Sequence, residues 1–128
     1  MKKSVAAAAV ALSFGLALPL LAQVKQAKGA DGLYMAVRRY EGVTNPAEAS
    51  RRVNDGFVPI LSKMPGFVAY YWVDSGNGVM ISTSIFESEA AAKESVTKAK
   101  EWVDANVSTL LPNPPQVTAG KVVSFKVK

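Results

Sequence analysis

The 128-residue chain contains no cysteine and no histidine. The first absence excludes disulfides, thiolate nucleophiles, cysteine-ligated metals and a lipid-anchored lipoprotein. The second removes the commonest general base, the usual zinc ligand and the usual proximal haem ligand. Chemistry in this chain therefore rests on carboxylates, Tyr, Lys, Arg, Asn or a bound cofactor. Strong charge is lacking as well. The formal charge is +5, but setting aside Lys2 and Lys3 leaves 13 basic against 10 acidic residues, spread along the chain. A nucleic-acid binder concentrates its basic residues in a stripe, so no nucleic-acid partner is expected.

What is present begins with a leader. Lys2-Lys3 precedes the apolar run VAAAAVALSFGLALPLLA, the layout of a secretory signal peptide over residues 1–22. Cleavage after Ala22 and export to the periplasm or beyond follow from it. A retained anchor is the alternative, because about 18 apolar residues lie at the lower limit for crossing a bilayer. Membrane contact is expected only through this segment. Residues 23–32 read as a flexible lead-in, and residues 33–128 as one domain.

The stretch Gly66–Phe86, GFVAYYWVDSGNGVMISTSIF, organises that domain. Ser75-Gly76-Asn77-Gly78 is a hairpin-turn signal between two runs of β-branched and aromatic residues. Alternation puts Phe67, Ala69, Tyr71 and Val73 on one face, and Val68, Tyr70 and Trp72 on the other. Neither face is plainly polar, so both are expected to be covered.

Leu33–Tyr40 reads as a first strand, with Tyr34, Ala36, Arg38 and Tyr40 on one face. Asn45-Pro46 followed by Glu48 is a capping-box start for a helix over 46–64. Its apolar stripe is Ala49, Val53, Phe57, Ile60 or Leu61, and Met64, with a kink or break expected near Pro59. Ser88 caps a second helix over 89–111, with Ala92, Val96, Ala99, Val103, Val107 and Leu110 buried and Trp102 at the margin. Pro112-Asn113-Pro114-Pro115 stops it, and Val117–Val127 forms a last strand. The order is βαββαβ, which predicts an α+β, ferredoxin-like fold: a four-stranded antiparallel sheet with two helices on one face. The second sheet face then needs its own cover, most simply a second copy in a homodimer.

YMAVRRYEG, FVPILSKMPGFVAYYWVD, SIFES and EWVDANVSTLLPNPP together resemble the antibiotic biosynthesis monooxygenase (ABM) type of domain, within the dimeric α/β barrel superfamily. The resemblance covers Tyr34–Phe125. It implies a small-molecule pocket between sheet and helices and, in the oxygenase branch, activity without metal or flavin. The haem-degrading branch fits poorly, since its axial histidine has no counterpart. Family oxygenases use Asn, Trp and Arg or Tyr groups, and Tyr34, Arg38, Phe57, Tyr70, Trp72, Phe86 and Trp102 are the pocket candidates compatible by type. Asn54 and Asn106 qualify only as asparagines on helices, and no catalytic residue is assigned.

Each candidate also has a plainer reading. The aromatics serve equally as core or interface packing, and Arg38 or Arg39 as a surface pair with Glu41 or Asp55. Two function classes stay open: a cofactor-free monooxygenase acting on an aromatic or quinol-like compound, and a non-catalytic dimeric domain for small-ligand binding or association.

Overall fold

A computed structural model of the chain describes residues 32–128. The expected signal peptide and most of the lead-in lie outside the described residues. Gly32–Val123 form one compact unit, and Ser124–Lys128 fall outside it. The elements are β1 (Tyr34–Tyr40), α1 (Pro46–Arg52), a π-helical turn (Val53–Phe57), α2 (Val58–Ser62), β2 (Phe67–Gly76), β3 (Val79–Phe86), α3 (Glu89–Asn106) and β4 (Gln116–Lys121). The sheet order is β2-β3-β1-β4 with every pairing antiparallel. This is the ferredoxin-like arrangement that the order of elements predicts.

The hairpin turns where its residues permit positive φ, at Asn77 (55°) and Gly78 (75°). Its tip is tied back to the β1–α1 loop, because the Val43 amide donates to the Gly78 carbonyl at 2.9 Å. At the other end Phe67 pairs with Phe86 and Ala69 with Ile85, which leaves Val68 as a bulge. The extra residue flips the alternation. Phe67 therefore joins Tyr70 and Trp72 on the helix-covered face, where its ring meets that of Phe86 at 5.8 Å, and not Ala69, Tyr71 and Val73 as strict alternation requires.

The first helix breaks upstream of the expected place. The Val58 amide bonds the Val53 carbonyl five residues back, so the irregularity spans Val53–Phe57 while Pro59 sits in the first turn of α2. Proline has no N–H for the carbonyl four residues before it, here Asp55, so its effect surfaces one turn earlier, inside the π turn. Gly56 lies in that turn, and Trp102 of α3 occupies the space beside it. A Cβ on Gly56 would stand 2.8 Å from the indole. Ala49, Val53, Phe57 and Leu61 are buried as the stripe predicts, and Leu61 rather than Ile60 faces inward.

Asn45 caps α1 by accepting the Glu48 amide at 3.2 Å. The reciprocal half of the capping box is missing, because the Glu48 carboxylate is taken by Arg51 and Arg52. Ser88 caps α3 through the Ala91 amide at 3.1 Å. This helix stops at Asn106, short of the expected 111. Asn106 Nδ2 caps the Trp102 carbonyl at 2.9 Å, and Val107 leaves helical geometry at φ −137°. The turn that follows buries Leu111 in place of Leu110, and Ser95 joins the buried stripe of α3. β4 ends at Lys121, well before Val127.

Two apolar clusters fill the space between sheet and helices. One gathers Tyr40, Val43, Ala49, Met80, Val107 and Leu111. The other gathers Val53, Phe57, Leu61, Phe86, Ala92 and Ala99, with Tyr34 and Phe67 packed against it.

Candidate functional site

Between these clusters lies a polar group. Register sets Arg38 of β1 opposite Ser82 of β3, on the face that also carries Ala36, Tyr40, Met80, Ser84 and Phe86. Arg38 is 1% exposed. Its Nε and one terminal nitrogen donate to Ser82 Oγ at 3.3 and 2.8 Å, and the same terminal nitrogen donates to Ser84 Oγ at 2.7 Å. The other terminal nitrogen, Nη1, has no partner among the described residues. Among the described residues, no carboxylate pairs with this guanidinium either. Arg39 takes Glu41 and Arg51 takes Asp55, so the surface pairs that sequence allowed for Arg38 belong to other arginines.

An unneutralised buried cation is costly. Burial lowers the Arg38 pKa, opposed chiefly by the neighbouring Tyr70 and Tyr40 hydroxyls. Arginine nevertheless stays protonated in proteins. Burial likewise pushes the Tyr70 phenol up to about 12, against the pull of Ser82 and Arg38. It raises Tyr40 too, with Arg38 opposing. Both phenols are thus neutral hydrogen-bonding groups at physiological pH. Tyr70 Oη lies 2.9 Å from Ser82 Oγ.

Tyr40, Tyr70 and Ser82 form the polar wall of a cavity of about 10 Å³, closed otherwise by Val53, Phe57, Trp72, Ala99, Trp102, Val103 and Leu111. That is about the smallest volume that admits one water. An open groove of about 560 Å³ runs between β2 and the first helix, and it shares Tyr70 and Trp72 with the cavity. Trp72 borders both. Its indole N–H donates to Ser50 Oγ at 2.9 Å, and Ser50 in turn donates to the Pro46 carbonyl at 2.8 Å. The rings of Phe57 and Tyr70 meet edge-on at 5.7 Å, and those of Phe57 and Trp102 lie 5.5 Å apart.

Of the sequence candidates, Phe57, Tyr70, Trp72 and Trp102 thus converge on one cavity beside Arg38. Tyr34 and Phe86 do not line it and pack in the second apolar cluster. Asn54 lines the outer groove, while Asn106 is spent on its own helix. Sequence reasoning passed over Tyr40, Ser82 and Ser84. The available signal was polar side chains two apart within an otherwise apolar strand face.

No protein-family model and no curated protein matches the sequence. Solved structures do match in fold. The monooxygenase ActVA-Orf6 of Streptomyces coelicolor, solved with nanaomycin D, superposes with a TM-score of 0.58 at 21% identity, over 74% of this chain and 91% of that one. NE2512 of Nitrosomonas europaea, of unknown function, gives 0.58 at 22% identity over 75% and 93%. The cofactor-independent oxygenase SnoaB of Streptomyces nogalater gives 0.51 at 13% identity over 75% and 96%. At such identities the likeness is one of fold alone: the chain shares the ferredoxin-like fold of these proteins.

Proposed function

We propose that this chain is an exported, cofactor-independent monooxygenase that acts on an aromatic or quinol-like small molecule and works as a homodimer. The observation that carries the reading is Arg38, a buried guanidinium with a nitrogen unpartnered among the described residues and two neutral phenols beside it, bonded through Ser82 to a cavity with aromatic walls. The solved neighbours described as oxygenases support it at the level of fold.

A flat phenolic ring suits aromatic walls, and a guanidinium favours the ionised form of a phenol placed against it. An ionised quinol-type ring is electron-rich enough to reduce dioxygen. Conversion of a ring CH2 to C=O with release of one water consumes one O2, and the substrate supplies all four electrons. Tyr70 and Arg38 would steady the negative charge that develops on oxygen. For the ring to enter, Trp72 must release Ser50 and open the cavity toward the groove. Oxygen uptake with anthrone- and naphthoquinol-type probes tests the reading. Uptake by the wild type that falls to background in Arg38→Met supports it, and no uptake with any such probe overturns it.

The small cavity specifically favours a second reading, a dimeric domain that binds a small ligand or only associates. Binding or dimerisation without oxygen uptake would select it. Export rests on the leader, and mass spectrometry of secreted protein should place the N-terminus near Gln23.

A further inference from the structure

We propose that the pocket between the end of α3 and the Pro112–Pro115 loop is a second small-molecule site, which takes a neutral aromatic compound of one or two rings. It stands independently of the oxygenase chemistry proposed at Arg38, which does not line this pocket.

The inner cavity has room for one water, whereas this pocket offers about 280 Å³. Ligand pockets begin at about 300 Å³, so the space suits one or two rings. Its apolar walls are Leu111, Pro112, Pro114 and Pro115 from the loop, Val103 from α3 and Tyr40 from β1. Proline rings are rigid and apolar, and the Tyr40 ring is a partner for a second ring. The walls are built before any ligand arrives. The Thr44 amide donates to the Leu110 carbonyl at 3.0 Å, and Thr44 Oγ1 donates to the Thr109 carbonyl at 3.1 Å. Asn113 Nδ2 donates to the Glu41 carbonyl at 3.1 Å, and it lies so close to Gly42 that a Cβ there would stand 2.6 Å from it. A loop tied by these three bonds and stiffened by prolines adds little ordering cost to binding.

The charges around the pocket select a neutral ligand. Lys100 and Asp104 stand at its rim and neutralise each other at 2.7 Å. A charged ligand gains one of them only by facing the other. At the buried Tyr40, the phenol feels both Arg38 and Asp104, which act on it in opposite directions. Neither sign of charge is therefore favoured along the pocket. The Lys100 ammonium has three N–H groups and spends one on Asp104, whose carboxylate keeps free lone pairs. A hydroxyl or carbonyl on the ring finds its partner there, and Ser108 adds a hydroxyl to the same rim.

The test uses 2-acetylnaphthalene, a two-ring ketone with no ionisable group, in equilibrium dialysis against the purified chain. It should bind at least about tenfold more tightly than 2-naphthoate and 2-naphthylmethylammonium, its anionic and cationic analogues. Val117 of β4 lines this pocket and not the inner cavity. Val117→Trp fills the space and should weaken the ketone at least about tenfold, while Arg38→Met should leave it within about twofold. Asp104→Asn leaves Lys100 without its counter-charge and should raise naphthoate affinity several-fold. Thermal melts confirm that folded variants are compared. Equal affinity for the three compounds, or for the ketone in wild type and folded Val117→Trp, overturns the inference. So does loss of the ketone in folded Arg38→Met, which would seat it at the inner site, or no binding up to its solubility limit. An unchanged naphthoate affinity in Asp104→Asn would overturn the selection by charge. Oxygen uptake with quinol-type probes succeeds or fails apart from all of these results.

Discussion

On the helix-covered face of the sheet, β1 presents Ala36, Arg38 and Tyr40, and β3 presents Met80, Ser82, Ser84 and Phe86. On the opposite face β1 presents Met35, Val37 and Arg39, β3 presents Ile81, Thr83 and Ile85, and β2 presents Ala69, Tyr71 and Val73. The covered face buries a full charge with no counter-ion among the described residues, whereas the opposite face leaves Tyr71 57% and Val73 46% exposed. Each departs from the common rule in its own direction. A polar group held where apolar packing would be cheaper points to a ligand. Apolar groups held where polar ones would be cheaper point to association.

The largest expected effect breaks the second half of that comparison. If a second copy covers Tyr71 and Val73, Val73→Asp should weaken self-association at least about 100-fold, roughly 3 kcal/mol, by burying an unpaired carboxylate. Sedimentation at micromolar concentration reads this directly. A monomeric wild type under the same conditions would remove association as the reason for the exposed patch.

Next in size is the packing that shapes the covered face. Gly56→Ala sets a methyl group against the Trp102 indole within a filled layer, at a cost of about 1–3 kcal/mol. The expected fall in melting temperature is about 4–8 °C per kcal/mol for a domain of this size. An unchanged melting temperature would mean that the indole moves freely and does not define the cavity wall.

Smaller again is an alkaline effect. The Tyr70 pKa is about 12 in the fold, against 10 for the free phenol. The folded state holds this proton more tightly, so stability is complete below about pH 10 and declines as pH rises toward 12, by about 1–2 kcal/mol. In Tyr70→Phe that decline should flatten in denaturant titrations. The smallest effect lies at the opposite limb of the pH scale. Hydrogen bonds from Arg51 and Arg52 draw the Glu48 carboxyl down from 4.5 to about 2. The stability this pairing adds is present above about 4.5 and lost as pH falls toward 2. Because the pair is exposed, Glu48→Gln should move the melting temperature at neutral pH by about a degree or less.

Much of this architecture was legible in the sequence because its signals are local. The Asn77-Gly78 turn, the Asn45 and Ser88 caps and the helical stripes each depend on a few neighbouring residues, and together they yield the βαββαβ order. What escaped depended on contacts distant in sequence. The side of the sheet taken by Phe67 turned on one bulged residue, Val68. The break in the first helix came from a carbonyl that Pro59 leaves without a donor, next to a glycine that admits Trp102. Four aromatic candidates could be named by type, but their convergence required the packing of β2, the first helix and α3. The burial of Arg38 was hidden for a related reason. Arg38 and Arg39 are equivalent in composition, and only the register with Ser82 and Ser84, more than forty residues away, shows which of them faces the helices.

The central claim is that Arg38 serves a ligand and not the fold. Denaturant unfolding of Arg38→Met beside the wild type, without any ligand, tests it most directly. Removing a buried cation that has no counter-ion among the described residues relieves its desolvation and strands two serine hydroxyls, so the two effects offset. The variant should match the wild type within about 1 kcal/mol or exceed it. A loss of about 3 kcal/mol or more, the scale on which essential buried networks fail, would show that the guanidinium holds the domain together and would contradict the account.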